Sequence, residues 1–293
     1  MRILILGGNG MLGHELLRSF SGAHDIRVTL RGKLDEYSVA NLFTVENSIS
    51  GVDVCSMGRL EKIINEFSPE AVINAVGIIK QRDEASSFIP SIEINALFPH
   101  KLAVACDQVG ARLIHMSTDC VFSGDKGHYT ESEFADARDL YGRTKYLGEV
   151  GYGHCVTLRT SIIGLELQHN KSLIEWFIAQ TGEIRGYRKA VYSGLTTMEM
   201  ARVIERILLE CPDLHGVYHV ASTPISKFDL LSELASQLGK KDIKIIPDDE
   251  FVCDRSLDAG RFRKETGYEA PAWKSMLAEL ADRIKSREKG ESA

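Results

Sequence analysis

Short apolar runs alternate with longer amphipathic stretches through the first half of the chain. The runs are almost continuously apolar, as expected for strands that helices cover on both faces of a sheet. They predict strands at residues 2–6, 25–30, 51–55, 70–77, 111–118 and 155–160. The amphipathic stretches predict helices at residues 10–20, 57–67, 92–109 and 139–150. This alternation predicts an α/β fold with a doubly wound parallel sheet.

The pattern changes after about residue 164, where helices become frequent and strands rare. Helices are predicted at residues 172–181, 197–209, 227–238 and 272–286. We therefore expect two domains, with the parallel sheet in residues 1–164 and a smaller, mostly helical domain in residues 165–293. The apolar run at residues 216–221 is an exception, because it could return to the first sheet as an additional strand.

Composition limits the classes of partner that we expect. The formal charge of the 293 residues is −6 and no Lys/Arg block is longer than a pair, which argues against nucleic acid. Six widely spaced cysteines, without C-x-x-C or a Cys/His cluster, indicate reduced thiols and no metal site. The N-terminal apolar run is too short for a signal peptide, and no run approaches the ~20 residues of a membrane span. The expected location is the cytoplasm, with no membrane partner.

A glycine-rich turn, GGNGMLG, follows the first predicted strand and opens the first predicted helix. Glycine lets the backbone turn tightly and approach a pyrophosphate, which the free N–H groups at a helix N-terminus then bind. This context predicts that residues 1–164 bind a dinucleotide. The expected contacts in the turn come from Gly7, Gly10, Met11, Leu12 and Gly13.

The end of the second predicted strand bears on the choice of dinucleotide. An acidic residue there accepts from the 2′-hydroxyl of NAD, whereas an arginine binds the 2′-phosphate of NADP. This chain has Arg31, with Lys33 close by, which favours NADP. Asp35 and Glu36 follow and leave NAD open.

Further polar and small residues follow successive predicted strands. Because ligands of open α/β sheets bind at the carboxyl ends of the strands, these residues are expected to meet at one edge. Capping and turn formation would account for the same residue types. The candidates for this edge are Asp53, Val54, Ala75, Val76, Gly77, Ser117, Thr118 and Asp119.

The stretch DLYGRTKYLGE places Tyr141 and Lys145 four residues apart, on one face of a predicted helix. That spacing alone is a weak motif. Its position, about twenty residues after the sequence STD and one β-α unit further along the sheet edge, favours a catalytic acid with its electrostatic helper.

Seven segments together resemble one known family, the extended short-chain dehydrogenase/reductases. They are the glycine turn and the sequences NAVG, INALFPHKLA, STDCVFSG, YTESE, YGRTKYLGE and LRTSIIG. Within this family the chain most resembles the branch of dTDP-4-dehydrorhamnose reductase and related nucleotide-sugar 4-ketoreductases. The resemblance is continuous over residues 1–164 and fainter beyond, and it implies a Rossmann sheet.

The resemblance also implies a catalytic trio, Thr118, Tyr141 and Lys145. Tyr141 would deliver a proton, its pKa lowered by the Lys145 ammonium and the nicotinamide charge. Lys145 would bind the nicotinamide ribose, and Thr118 and Tyr141 the developing alkoxide. Ser117, Tyr141 and Lys145 are therefore also expected at the cofactor. The implied activity is NAD(P)H-dependent reduction of a nucleotide-activated 4-keto-6-deoxy sugar for cell-surface polysaccharide synthesis.

The chain departs from the family pattern at Cys120, which replaces a usual aromatic residue beside the expected sugar site. Arginines are expected at a nucleotide diphosphate because they bind phosphate with two parallel hydrogen bonds. The expected substrate-binding residues are Thr118, Asp119, Cys120, Arg188 and Arg255. Further basic candidates for the diphosphate are Lys80, Arg82, Arg185 and Lys189.

Two alternatives keep the fold and change the function. One is a nucleotide-sugar epimerase or epimerase/reductase, which would recycle its cofactor. The other is a regulatory subunit that binds a dinucleotide without turnover, against which the intact Thr118, Tyr141 and Lys145 argue. A homodimer is compatible with the sequence.

Overall fold

A parallel seven-stranded sheet forms the centre of the part of the chain that the computed structural model describes, residues 1–37, 42–79, 87–168 and 171–289. Six of its strands are β1 (Arg2–Leu6), β2 (Asp25–Thr29), β3 (Ser48–Ile49), β4 (Ala71–Asn74), β5 (Arg112–Met116) and β6 (Cys155–Arg159). The remaining strands of the chain are β7 (Ile162–Ile163), β8 (Gly182–Tyr187), β9 (Ala190–Tyr192), β10 (Leu195–Thr196), β11 (Gly216–His219), β12 (Ile225–Ser226), β13 (Ile243–Asp248) and β14 (Cys253–Asp254). The order across the central sheet is β11-β6-β5-β4-β1-β2-β3.

Helices connect the strands and pack on both faces of this sheet. They are α1 (Met11–Phe20), α2 (Met57–Phe67), α3 (Phe88–Ser91), α4 (Phe98–Gln108), α5 (Leu140–Leu147), α6 (Leu173–Ile178), α7 (Thr197–Glu210), α8 (Lys227–Leu238), α9 (Gly260–Thr266) and α10 (Trp273–Glu288). A π-helical segment, Ile92–Leu97, joins α3 to α4, and single 3₁₀ turns cover Leu34–Tyr37 and Asp119–Val121. The predicted doubly wound parallel sheet is confirmed.

The apolar runs are continuous because successive side chains enter two different cores. Ile3 and Ile5 of β1 belong to the core shared with α1 and α7, and Leu4 and Leu6 to the core shared with α2 and α4. All four are fully buried. Burying a side chain of this size contributes about 1.5–3 kcal/mol, so both faces stabilise the sheet that carries the site.

The predicted strand at residues 51–55 is wrong. The third strand is the two-residue β3, and the chain then turns at Gly51, which has a left-handed backbone with φ of +66°. The side chain of Asp53 accepts a hydrogen bond from the backbone N–H of Cys55 at 3.0 Å, which closes a turn instead of extending a strand.

The second half contains short strands that the hydrophobic pattern did not predict. β8 and β13 pair in parallel although their first residues are 61 positions apart, and they carry charged, half-exposed side chains. The run near residue 216 forms β11, which pairs in parallel with β6 at the edge of the central sheet. One strand of the second half therefore belongs to the first sheet.

Among the helices described, none combines the length and the apolar character required to cross a bilayer.

Candidate active site

A cavity of about 1150 Å³ lies along the carboxyl edge of the central sheet. This volume exceeds that of a typical single-ligand pocket, so it accommodates a dinucleotide and a second ligand. Most of the residues predicted for the site line it, namely Gly7, Gly10, Met11, Leu12, Arg31, Asp53, Val54, Ala75, Val76, Gly77, Ser117, Thr118, Asp119, Cys120, Tyr141, Lys145 and Arg255. Gly13 and Arg188 do not line it.

The glycine turn lies between β1 and α1 and has the geometry of a phosphate cradle. Gly7 has a φ of +84°, a backbone conformation that residues other than glycine rarely adopt. A Cβ on Gly13 would lie 2.1 Å from the carbonyl oxygen of Gly7, so Gly13 lets α1 pack against the turn from behind. Gly10, at the N-cap, has no side chain to accept from the first N–H groups of α1. Those groups fit a diphosphate.

A basic and an acidic side chain both lie where the adenosine ribose of a dinucleotide is expected. Arg31 follows β2 and lines the cavity, and Glu36 lines it as well. The backbone N–H of Gly32 donates to the hydroxyl of Tyr37 at 3.0 Å, which fixes the loop between them. Asp53 lines the neighbouring wall.

Tyr141 and Lys145 lie one turn apart on α5, which is shorter than the predicted helix. Asp139 caps it, its Oδ1 accepting from the backbone N–H of Gly142 at 3.0 Å. Lys145 is buried, and its Nζ donates to the backbone carbonyl of Met116 at the end of β5, at 2.6 Å. This bond fixes the ammonium at the floor of the cavity.

Burial moves both pKa values toward the neutral forms. Desolvation lowers the pKa of Lys145 to about 8, against the opposing effect of the Glu149 carboxylate. Desolvation raises the pKa of Tyr141, and a hydrogen bond from Thr118 only partly opposes it. The direction for Tyr141 is the opposite of the expected one, because desolvation of the phenolate dominates and the charges of Cys120, Asp119 and Asp139 raise the pKa further. The phenol therefore keeps its proton at neutral pH.

Thr118 and Asp119 form one hydrogen-bonded unit after β5. The hydroxyl of Thr118 accepts from the backbone N–H of Cys120 and donates to Oδ1 of Asp119, both at 3.1 Å. Burial raises the pKa of Asp119, and the positive charge of Arg255 opposes this effect. This unit fixes the Thr118 hydroxyl beside Tyr141.

Of the arginines predicted to bind substrate, Arg255 lines the cavity and Arg188 does not. Arg255 donates to the backbone carbonyls of Phe122 and Ser123, at 2.9 and 3.0 Å, which hold it at the cavity wall. Arg188 is exposed and forms an ion pair with Asp249. The assignment of Arg188 to substrate is thus not supported.

The other basic candidates do not add to the cavity wall. Arg185 forms an exposed ion pair with Asp248, and Lys189 does not line the cavity. Lys80 and Arg82 lie outside the described residues.

Several lining residues were not predicted from the sequence. Thr160 and Ser161 follow β6, so the rule that ligands bind at the carboxyl ends of strands could have found them. Further lining residues come from the second half, and no motif indicated them. Among them are Gln168, Ser172, Tyr192, Lys227, Phe251 and Cys253.

A buried ion pair contacts Ser117 and so supports the site. Arg159 of β6 donates two hydrogen bonds to Glu149, at 2.8 and 2.7 Å, and both side chains are about 95% buried. Glu149 also accepts from the hydroxyl of Ser117 at 2.7 Å. The predicted cofactor contact of Ser117 must therefore compete with this bond.

Within the described residues, no three His, Cys, Asp or Glu side chains cluster as metal ligands.

The model of one protein family, described as the RmlD substrate binding domain, matches residues 1–286. The chain belongs to this family. The match covers both the cavity and the short strands of the second half, and it ends within α10. The RmlD family is the branch that the sequence motifs indicated.

Two curated relatives show how far this similarity extends. The dTDP-4-dehydrorhamnose reductase of Aggregatibacter actinomycetemcomitans is 26% identical over 78% of this chain and 76% of its own length. The methionine adenosyltransferase 2 subunit beta of Mus musculus is also 26% identical, over 50% of this chain and 41% of its own length. The chain thus matches less than half of the mouse protein.

Solved structures share the whole architecture. A dTDP-4-dehydrorhamnose reductase of Clostridium acetobutylicum has a TM-score of 0.77 and 25% identity, covering 97% of this chain and 100% of its own. A dTDP-4-dehydrorhamnose reductase of Bacillus anthracis, in complex with NADP, has a TM-score of 0.78 and 23% identity over 96% and 99%. The RmlD-like fold therefore spans both halves of the chain.

Replacing Arg159 with methionine should destabilise the fold by about 3–5 kcal/mol, because Glu149 becomes a buried charge without its partner. The double replacement Arg159→Met with Glu149→Leu should lose less, since no buried charge remains. Urea unfolding measures both free energies. A double variant less stable than Arg159→Met alone would contradict this explanation.

Replacing Lys145 with methionine should stabilise the folded chain at neutral pH. The usual lysine pKa is 10.5 and the folded value is about 8, so burial of the ammonium costs about 3 kcal/mol. This cost applies in full below pH 8, where Lys145 is protonated in both the folded and the unfolded chain. It disappears above pH 10.5, where Lys145 is neutral in both. The lost bond to Met116 offsets about 1 kcal/mol.

The measurement is the free energy of unfolding of both proteins at pH 7 and at pH 10. The advantage of Lys145→Met should shrink at the higher pH. Lys62→Met, which removes an exposed ammonium, serves as the control and should match the unmodified chain at both. An advantage independent of pH would show that packing, not charge, is responsible.

Proposed function

We propose that this chain is an NADP-preferring reductase of a nucleotide-activated 4-keto-6-deoxy sugar. The observation that carries the proposal is the meeting of Thr118, Tyr141 and Lys145 with the glycine turn in one cavity. The relatives named dTDP-4-dehydrorhamnose reductase support the same chemistry. The spore coat polysaccharide biosynthesis protein SpsK of Bacillus subtilis, 25% identical over 76% of this chain, supports a role in polysaccharide precursor synthesis.

The residues fit a dinucleotide, which supplies the hydride when bound. Gly7, Gly10 and the first turn of α1 hold its diphosphate, and Ala75 and Gly77 offer a flat wall to the nicotinamide. Arg31 binds the 2′-phosphate, which favours NADP. Glu36 disfavours that phosphate and keeps NAD as the weaker alternative.

Proton transfer to the sugar comes from Tyr141. Its raised pKa keeps the phenol protonated until a developing alkoxide accepts the proton, while the Thr118 hydroxyl turns from Asp119 and donates to the same oxygen. Lys145 is fixed by Met116 and donates to the nicotinamide ribose. Together these contacts align the acid with the carbonyl.

The second half of the chain provides the substrate wall, so we assign dinucleotide binding to residues 1–164 and substrate binding to residues 165–293. Arg255 faces the substrate diphosphate, and Asp119 and Cys120 face the sugar.

We place the enzyme in the cytoplasm, where sugar nucleotides are made. Exposed apolar side chains on α5, α4 and the π-helical segment, among them Leu147, Val104 and Leu97, favour a homodimer.

A second candidate function is that of a dinucleotide-binding regulatory subunit. The similarity to a subunit of methionine adenosyltransferase favours it. A binder needs no proton donor, so Tyr141 and its supporting contacts would then have no role.

The reductase function is tested by NADPH oxidation with dTDP-, UDP- and GDP-4-keto-6-deoxy sugars. We expect turnover with one of them and a loss of about 10²–10⁴-fold in kcat for Tyr141→Phe, which removes the proton donor. A fully active Tyr141→Phe variant would refute the assignment. Sugar conversion without net NADPH oxidation would indicate the epimerase, and binding without conversion the regulatory subunit.

Replacing Arg31 with alanine should reduce the preference for NADPH over NADH by about tenfold or more, because one charge-assisted contact to the 2′-phosphate is lost. Fluorescence titration of both cofactors measures the ratio. Arg59→Ala, an exposed arginine outside the cavity lining, is the matched control. An unchanged ratio in Arg31→Ala would show that another group selects the cofactor.

A further inference from the structure

Tyr192 has a buried hydroxyl that finds no hydrogen-bond partner among the described residues. The residue ends β9, and its ring lines the wall of the cavity. A Cβ on Gly194 would lie 2.6 Å from Cε2 of Tyr192, and the ring centroid lies 5.4 Å from that of Trp273. The ring is thus wedged between backbone and indole, and its hydroxyl cannot turn to solvent without disturbing both.

Tyr192 lines the same cavity as Tyr141 and Asp119. After burial, the charge of Asp119 is the main cause that raises the pKa of Tyr192, and the same carboxylate raises the pKa of Tyr141. Asp119 lines the same cavity as both phenols, and it accepts from Thr118 at 3.1 Å. A ligand group that reaches Tyr192 therefore lies in the same cavity as Tyr141.

The chemistry of the surroundings selects the kind of ligand group. A phosphate is an anion that only accepts hydrogen bonds, so the Asp119 carboxylate disfavours it except where the Arg255 guanidinium offsets that charge. A sugar hydroxyl is uncharged and both donates and accepts, so it can bond to the Tyr192 hydroxyl in either direction without repulsion from Asp119. Buried polar groups without a partner are costly, and a bound hydroxyl would remove that cost.

We propose that Tyr192 is a sugar-binding residue whose hydroxyl bonds to a substrate hydroxyl next to the carbonyl that receives the proton of Tyr141. The inference rests on the proposed function and extends it, because it assigns specificity for the sugar to a residue of the second half. The nucleotide and the dinucleotide make no contact with Tyr192 in this arrangement.

The test compares Tyr192→Phe with the unmodified chain in the presence of NADP⁺. Calorimetry measures the affinity for dTDP-, UDP- and GDP-glucose, and for dTDP, UDP and GDP alone. We expect Tyr192→Phe to bind the preferred sugar nucleotide about tenfold more weakly, as for one lost hydrogen bond, and to bind the nucleoside diphosphate unchanged. Its melting temperature without ligand should be equal or higher, because an unpartnered buried hydroxyl is removed.

Tyr268→Phe is the matched control. Tyr268 lies in the core, and its hydroxyl donates to Glu199 at 2.7 Å. This variant should melt at a lower temperature and keep both affinities.

Two outcomes for Tyr192→Phe would overturn the inference alone. They are an unchanged affinity for the sugar nucleotide, and an equal loss for the sugar nucleotide and the nucleoside diphosphate. If the unmodified chain binds none of the sugar nucleotides, the proposed function fails and the inference fails with it.

Discussion

The buried ion pair between Glu149 and Arg159 is the interaction on which the site depends. Glu149 follows α5 and Arg159 ends β6, and Ser117, directly after β5, joins the pair. His219 of β11 is a further partner, because its Nε2 accepts a hydrogen bond from Arg159 at 3.2 Å. Burial and the charge of Arg159 lower the pKa of His219 to about 4, so it remains a neutral acceptor. Buried charges of this kind are tolerated only when every partner is present, which couples four elements into one rigid support.

Desolvation acts on Tyr141 and Lys145 at once. It keeps the Tyr141 phenol protonated and makes the Lys145 ammonium easier to discharge. A more exposed site would give each group its ordinary pKa but would weaken every hydrogen bond within it. Burial of Lys145 therefore lowers the stability of the fold but excludes water from the edge of the sheet where the site lies. Sites that spend stability in this way are a common feature of enzymes.

The parts of the molecule that were predictable depend on local rules. The strand, glycine turn and helix at the N-terminus follow from burial on both faces and from the special conformation at Gly7. Tyr141 and Lys145 gained meaning from their place at the sheet edge. The missing strand at residues 51–55 shows the limit of the apolar pattern, since a single left-handed glycine ended it.

The substrate side was less predictable, because its residues meet only through tertiary contacts. Arg188 and Arg255 look alike in the sequence, yet one pairs with a surface carboxylate and the other with buried carbonyls. Tyr192 carries no motif, and only its wedged ring and unpartnered hydroxyl distinguish it. These distinctions arise from long-range packing, which sequence spacing does not record.

The position of β11 has a consequence for how the chain is made. The central sheet is completed by residues 216–219, although its other strands lie within the first 159 residues. During synthesis the edge of β6 remains unpaired, and Arg159 lacks its histidine partner, until β11 has left the ribosome. An exposed parallel edge is prone to wrong pairing. About sixty further residues must therefore be synthesised before the central sheet is complete.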